Sequence, residues 1–206
     1  MTSLRERQKE KRYQAIINAA LSSIRERGYS ATSIEVIAGR AEVGVGTVYN
    51  YFHSKAAIIV ELYKRDVAGN LNEGQEIINS PLRNYEQTVV KLLTVYAAGY
   101  CGGRDKSLLR EIYAVVMSEQ ALARKELLQA DNTLVDQLSG LLAKAQHQNY
   151  LKPDVDPIEA AYILFSMAMY DFVMYVTDDD MKFSELEECI KRHIKLIFTG
   201  LSYRRR

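Results

Sequence analysis

Residues 32–55 read TSIEVIAGRAEVGVGTVYNYFHSK, and no other stretch of the chain narrows the possible folds so far. Ile34, Ile37, Ala38 and Ala41 recur at i, i+3, i+4 and i+7, the apolar stripe of a short amphipathic helix. Thr32-Ser33-Ile34-Glu35 fits a capping box in which the Thr32 hydroxyl accepts from the third helical amide and Glu35 reaches back. Glu42-Val43-Gly44 interrupts the stripe, and a second helix starts near Val45 with Val48 and Phe52 on its inner side. Helices this short bury little apolar surface. Thr47, Tyr49, Asn50 and Tyr51 on the remaining faces therefore need another purpose, and a helix-turn-helix entering the major groove of DNA supplies one.

The chemistry of each position suits that purpose. Gly46 and Thr47 lie where free amides and the helix dipole favour a phosphate. Tyr49 and Tyr51 carry hydroxyls on rigid rings, and Lys55 adds a charge at the start of the next helix; such contacts position a protein without reading sequence. Asn50 can pair with adenine and Val45 can meet a thymine methyl. Thr32 and Ser33, ahead of the first short helix, complete the candidate DNA-facing set. For one of Tyr49 and Tyr51 a second reading stays open, packing against the preceding helix.

The net charge of +1 over 206 residues hides an asymmetry. Residues 1–55 hold nine Lys or Arg against five Asp or Glu, a balance of +4, and residues 56–206 hold 18 against 21, a balance of −3. Basic charge at the N-terminal end is the sign that phosphate binding requires, since neutralised phosphates release counterions. Arg5 to Arg12, with five basic residues and two Glu, reads either as a solvated helix start or as an arm reaching towards phosphates. Cys101 and Cys189 lie far apart in apolar helical patterns and read as reduced thiols. The polar N-terminus has no apolar core of a signal peptide, and the most apolar run, Ala160 to Tyr170, is too short to span a bilayer. The expectation is a soluble cytoplasmic protein without membrane contact.

Helical patterns fill the rest. Tyr13 to Gly28 carries Ile16, Ala20 and Ile24 on one stripe, with Gly28 as terminator, and Ser54 caps a helix over roughly Lys55 to Asn72. Ser80-Pro81 reads as a helix start with Pro at the first position, ending at Gly102-Gly103. Leu108 to Ser118 follows, with Leu109, Ile112, Tyr113 and Val116 on its stripe. A long segment to about Asn149 then carries Leu127, Leu134, Leu138, Leu141 and Ala145. Asp156-Pro157-Ile158-Glu159 is a second capping box, opening a helix to about Val176 that is apolar almost all round. Ser184 and Glu187 cap the last helix, which carries Ile190, Ile194 and Ile197. The reading is all-α, about nine helices, with a helix-turn-helix DNA-binding domain over residues 1–55 and a helical domain over 56–206.

From Tyr13 to about Leu62 the sequence resembles the TetR family of transcriptional regulators. The resemblance rests on the helix ending at Gly28, Thr32-Ser33, Ile37-Ala38, Ala41, Val43, Gly46-Thr47-Val48-Tyr49, Tyr51-Phe52 and Ser54-Lys55. It implies that Thr47, Tyr49, Tyr51 and Lys55 contact phosphates and that Val45 faces bases. Two positions depart from the family pattern: Glu42 stands where the turn usually has Gly, and Gly44 where a capping Ser is usual. Glu42 is then expected to carry a left-handed backbone at a cost of roughly 1 kcal/mol. The resemblance further implies a homodimer through the last two helices and a C-terminal pocket for a small-molecule inducer. Tyr96, Tyr100, Tyr113, Met117, Met167, Tyr170, Asp171 and Met174 are the candidate lining residues, although Tyr and Met at helical spacing equally fill a core. A helix apolar on every face independently asks for cover on both sides.

The functional expectation is a dimeric repressor that binds a palindromic operator and is released by a small ligand. A ligand-independent, chromosome-associated DNA-binding protein that recruits a protein partner is the alternative. An α-helical enzyme or carrier ranks last, because no nucleophile–base pair, metal cluster or phosphate loop is visible; no cofactor is expected. His147 and His193 have no partner at ligand spacing.

Overall fold

The computed structural model describes residues 3–101, 106–117 and 121–201. Gly102-Gly103, Ser118 and the side chains of Ile112, Val116, Met117 and Leu127 lie outside the described residues. Among the described residues there are nine helices: α1 Leu4–Ala31, α2 Ile34–Arg40, α3 Val45–Tyr51, α4 Lys55–Asn79, α5 Tyr85–Cys101, α6 Lys106–Met117, α7 Ala121–His147, α8 Pro157–Thr177 and α9 Phe183–Leu201. They form two compact units, residues 1–63 with 107–127 and residues 64–106 with 128–206. The all-α expectation holds.

The first unit is built around Ile16, Ile17, Ile37, Val48, Ile58 and Ile59, each at most 1% exposed. Its core does not stop at residue 55. Ala56, Ile58, Ile59 and Leu62 from the first turns of α4 and Leu108 from α6 belong to the same cluster, because α1 to α3 alone cannot close an apolar stripe on every side. Ser3 starts α1 with a reciprocal capping box to Glu6, so the charged lead-in is helical from Leu4. Gly28 interrupts α1 at φ 80°, ψ 162°, a backbone conformation open to glycine and strained for other residues.

Three helix starts are corrected. Ser33, not Thr32, caps α2: its Oγ accepts from the Val36 amide, while Thr32 ends α1 and its hydroxyl donates to the Gly28 carbonyl at 2.8 Å. The α5 helix starts at Tyr85, not Pro81; Asn84 Oδ1 accepts from the Glu86 amide at 2.9 Å, and Ser80-Pro81 lie in the connection. Likewise α9 starts one residue before Ser184, with Glu185 accepting from the Lys182 amide at 2.7 Å. Asp156 caps α8 with Pro157 at the first position, as the sequence indicates. The α4 helix runs seven residues beyond Asn72, to Asn79.

In the second unit α5, α8 and α9 pack on one another. A polar ladder crosses between α4, α5 and α7. Tyr96 OH donates to Gln137 Oε1 at 2.6 Å, Gln137 Nε2 donates to the Leu71 carbonyl at 2.9 Å, and the buried Asn70 Nδ2 donates to the Tyr96 carbonyl at 3.2 Å. Two glycines make room for it. A Cβ on Gly99 would sit 1.4 Å from Asn70 Oδ1, and one on Gly74 would sit 2.5 Å from Gln137 Oε1. By length and composition α8, 21 residues at a mean hydropathy of 1.4, is sufficient to cross a bilayer, although the run Ala160–Tyr170 alone is not. Its buried residues include Ala161, Leu164, Phe165, Ala168 and Phe172. The buried Asp171 among them meets His193 Nδ1 of α9 at 2.9 Å, a polar link suited to a protein core.

Gly99→Ala is expected to displace the Asn70 amide and lower stability by about 1–3 kcal/mol, the range for overpacking a filled site. In urea unfolding, Asn70→Ala combined with Gly99→Ala should lose less than the sum of the two single changes, since removing the amide removes the clash.

Candidate nucleic-acid interface

The turn between α2 and α3 uses a left-handed residue at Glu42, φ 55°, the strain expected where glycine is missing. Gly44 caps α3 with its backbone alone. Val48 and Phe52 are buried, and Phe52 stacks on Tyr13 of α1 with ring centroids 5.4 Å apart. This fixes the rotation of α3 about its axis, so its remaining faces are determined.

Gly46, Tyr49 and Asn50 are exposed, Tyr49 to 47%. A Cβ added at Gly46 would meet nothing within 4 Å, so the backbone there is open to close approach by a large partner. Asn50 lines an open groove with Glu6, Lys9, Glu10, Tyr13 and Tyr51, placing it beside the basic start of α1. Thr47 is half-buried, and Val45 packs partly against the head core. Ser33 is exposed but its Oγ already accepts from Val36. Thr32 is 1% exposed and its hydroxyl is engaged, so its side chain offers a phosphate nothing.

The two tyrosines divide. Tyr51 OH donates to the Lys9 carbonyl at 3.1 Å and its ring lies 6.3 Å from that of Tyr13; it ties α3 to α1. Tyr49 projects outward. Lys55 also has partners within the head: Nζ donates to the Tyr29 carbonyl and lies 3.9 Å from the centroid of the Tyr29 ring. Burial pushes the Lys55 ammonium pKa down, and the Glu111 carboxylate of α6 partly restores it.

One feature escapes the sequence pattern altogether. Arg40 at the end of α2 grips Glu26 of α1 through both guanidinium nitrogens, Nη1 to Oε2 at 2.6 Å and Nη2 to Oε1. The guanidinium holds the Glu26 carboxyl below the usual carboxylate range. The two residues stand 14 apart, a separation no helical periodicity reports.

The inducer candidates are scattered. Tyr96 and Tyr100 are buried, their hydroxyls donating to Gln137 and to Asp131. Asp171 is buried against His193. Met167 is half-buried on α8, while Tyr170, 66% exposed, and Met174 lie on the outer side of that helix. Tyr113 is half-buried in the first unit, and the side chain of Met117 lies outside the described residues.

A short helix held by its inner apolar residues, with small, polar and aromatic groups outward beside a basic arm, defines a helix-turn-helix DNA-binding protein. Residues 16–62 match the family described as bacterial regulatory proteins, tetR family. The HTH-type transcriptional repressor KstR of Rhodococcus jostii is 27% identical over 82% of this chain and 74% of its own length. FadR of Bacillus subtilis in complex with stearoyl-CoA shares the fold with a TM-score of 0.75 at 21% identity, over 92% of this chain and 99% of that one. Thermus thermophilus FadR, a TetR-family transcriptional repressor in complex with lauroyl-CoA, gives 0.72 at 22% identity, over 94% and 96%. The family match is thus confined to residues 16–62, while the fold of these structures extends over nearly the whole chain.

Tyr49→Phe should weaken binding to duplex DNA by roughly fivefold, the worth of one lost hydrogen bond, and leave the melting temperature unchanged. Tyr51→Phe should instead lower stability by about 0.5–1 kcal/mol. Fluorescence anisotropy and thermal unfolding on both variants check the division.

Proposed function

We propose that this protein represses transcription as a homodimer on a palindromic operator and is released from it by an acyl-CoA-type ligand. The observation that carries the DNA reading is the outward set Gly46, Tyr49 and Asn50 on a helix whose rotation Val48 and Phe52 fix. In this reading Thr47, Tyr49 and Lys55 hold phosphates, Asn50 and the exposed edge of Val45 meet bases, and Tyr51 supports the arm that carries Lys9. The DNA-binding head comprises residues 1–55 with the turns of α4 that complete its core.

Dimerisation is supported by the outer side of α8. Ile158, Tyr162, Ile163, Tyr170 and Met174 are all exposed there, and Leu196 of α9 is 73% exposed. Exposed large apolar side chains gathered along one helix support an interaction site, and a self-complementary contact between two copies is the commonest solution. The FadR structures, which hold stearoyl-CoA and lauroyl-CoA, support this ligand class. A long acyl chain would need apolar lining of the kind that the second unit supplies around Tyr100 and Phe172, whose rings lie 5.6 Å apart. An inducer acts by binding preferentially the head spacing that does not match the operator.

Selection from random DNA should yield a palindrome with half-sites about one helical turn, or a multiple of it, apart; unrelated single sites would sink the dimeric reading. Stearoyl-CoA above its Kd should raise the melting temperature with the logarithm of its concentration and release the selected DNA. No response to acyl-CoA of any chain length would favour a ligand-independent regulator. Ile163→Glu should convert a dimer to a monomer in sedimentation velocity while the helical circular dichroism is retained.

A further inference from the structure

The corner formed by Gly28 and Tyr29 gathers three charged or polar groups that the DNA reading uses only in part. The Tyr29 carbonyl accepts from the Lys55 ammonium, and the Tyr29 ring lies beneath that ammonium at 3.9 Å. The Thr32 amide donates to the same carbonyl at 3.1 Å. From α6 the Glu111 carboxylate arrives at the same place: Oε1 lies 3.7 Å from the position a Cβ on Gly28 would take. All four residues, with Ser107–Met117 of α6, belong to the first unit. The field of Glu111 is felt at both neighbours. It adds to burial in raising the Tyr29 phenol pKa and opposes burial at Lys55.

We propose that Glu111 is an internal anion that competes with the DNA backbone for Lys55, so that α6 sets the strength of the head's phosphate grip. The inference rests on Lys55 as a phosphate contact. An ammonium satisfied by a carbonyl, a ring face and a nearby carboxylate gives up part of that environment when it turns to a phosphate. The carboxylate is the part that a movement of α6 can add or remove.

The test is anisotropy titration of a 30-base-pair mixed-sequence duplex between 50 and 300 mM NaCl with wild type, Lys55→Ala, Glu111→Gln, Glu111→Ala and the double variant Lys55→Ala/Glu111→Gln. Lys55→Ala should flatten the dependence of log affinity on log salt by about 0.9, the contribution of one phosphate contact. Glu111→Gln and Glu111→Ala should each bind about two- to fivefold more tightly than wild type, as expected for loss of a partly exposed competing charge, and should steepen the salt dependence. In the Lys55→Ala background Glu111→Gln should change nothing. If Glu111→Gln matches wild type, or strengthens binding equally without Lys55, the competition is refuted while the DNA-binding reading stands. If Lys55→Ala leaves the salt dependence unaltered, Lys55 is not a phosphate contact and the inference falls with it.

Discussion

The geometry of the head turns on one backbone conformation, the positive φ at Gly28. A residue with a Cβ there would be strained, and the chain would be driven towards continuing α1 as a regular helix. Because it breaks instead, the Gly28 carbonyl is freed for the Thr32 hydroxyl and the Tyr29 carbonyl for the Thr32 amide and Lys55. Those bonds fix where α2 begins and where α4 leaves. The recognition helix between them inherits its position from both. Tyr13 of α1 then stacks on Phe52 at its far end, and Arg40 clamps α2 to α1 through Glu26. The outward residues of α3 are thus presented by a frame anchored at three points on α1.

That frame explains which residues are free to meet DNA. On a helix of seven residues, Val45–Tyr51, burying Val48 fixes one face, and Tyr51 is drawn to the same side by the Lys9 carbonyl. Only Gly46, Tyr49 and Asn50 remain fully outward. A small residue, a phenol and an amide make a surface that admits close backbone approach and offers hydrogen bonds of both senses. The positive balance of residues 1–55 supplies non-specific attraction around it.

Much of this was legible in the sequence, and the rest failed for identifiable reasons. The inner positions Val48 and Phe52 followed from helical period alone, and the left-handed Glu42 followed from a non-glycine residue in a turn that asks for glycine. Thr32 and Ser33 are adjacent hydroxyls, each a fit cap, and only the path of the chain out of Gly28 decides between them. Tyr49 and Tyr51 were separable only once the Lys9 carbonyl, 42 residues away, was in place. Pro81 has the right residue type for a helix start, but Asn84 offers a side-chain acceptor three residues later and the helix begins after it. Glu26–Arg40 and Glu111 beside Gly28 are pairings across helices, and no period within one helix announces them.

The second unit shows the same division between what local pattern determines and what contact determines. The α8 helix is apolar almost all round, so sequence alone does not say which face is core. The buried Asp171 resolves it: a carboxylate withdrawn from water needs a partner, and His193 of α9 provides one on the side where Phe172 and Leu164 are also buried. Ile163, Tyr170 and Met174 are left exposed on the outside. The free energy of hydrating them, on the order of 25 cal/mol per Å² of apolar surface, is available to whatever covers that side. In the proposed dimer a second copy of the same helix would offer the same residues back, making the exposed side of α8 a source of association energy independent of DNA.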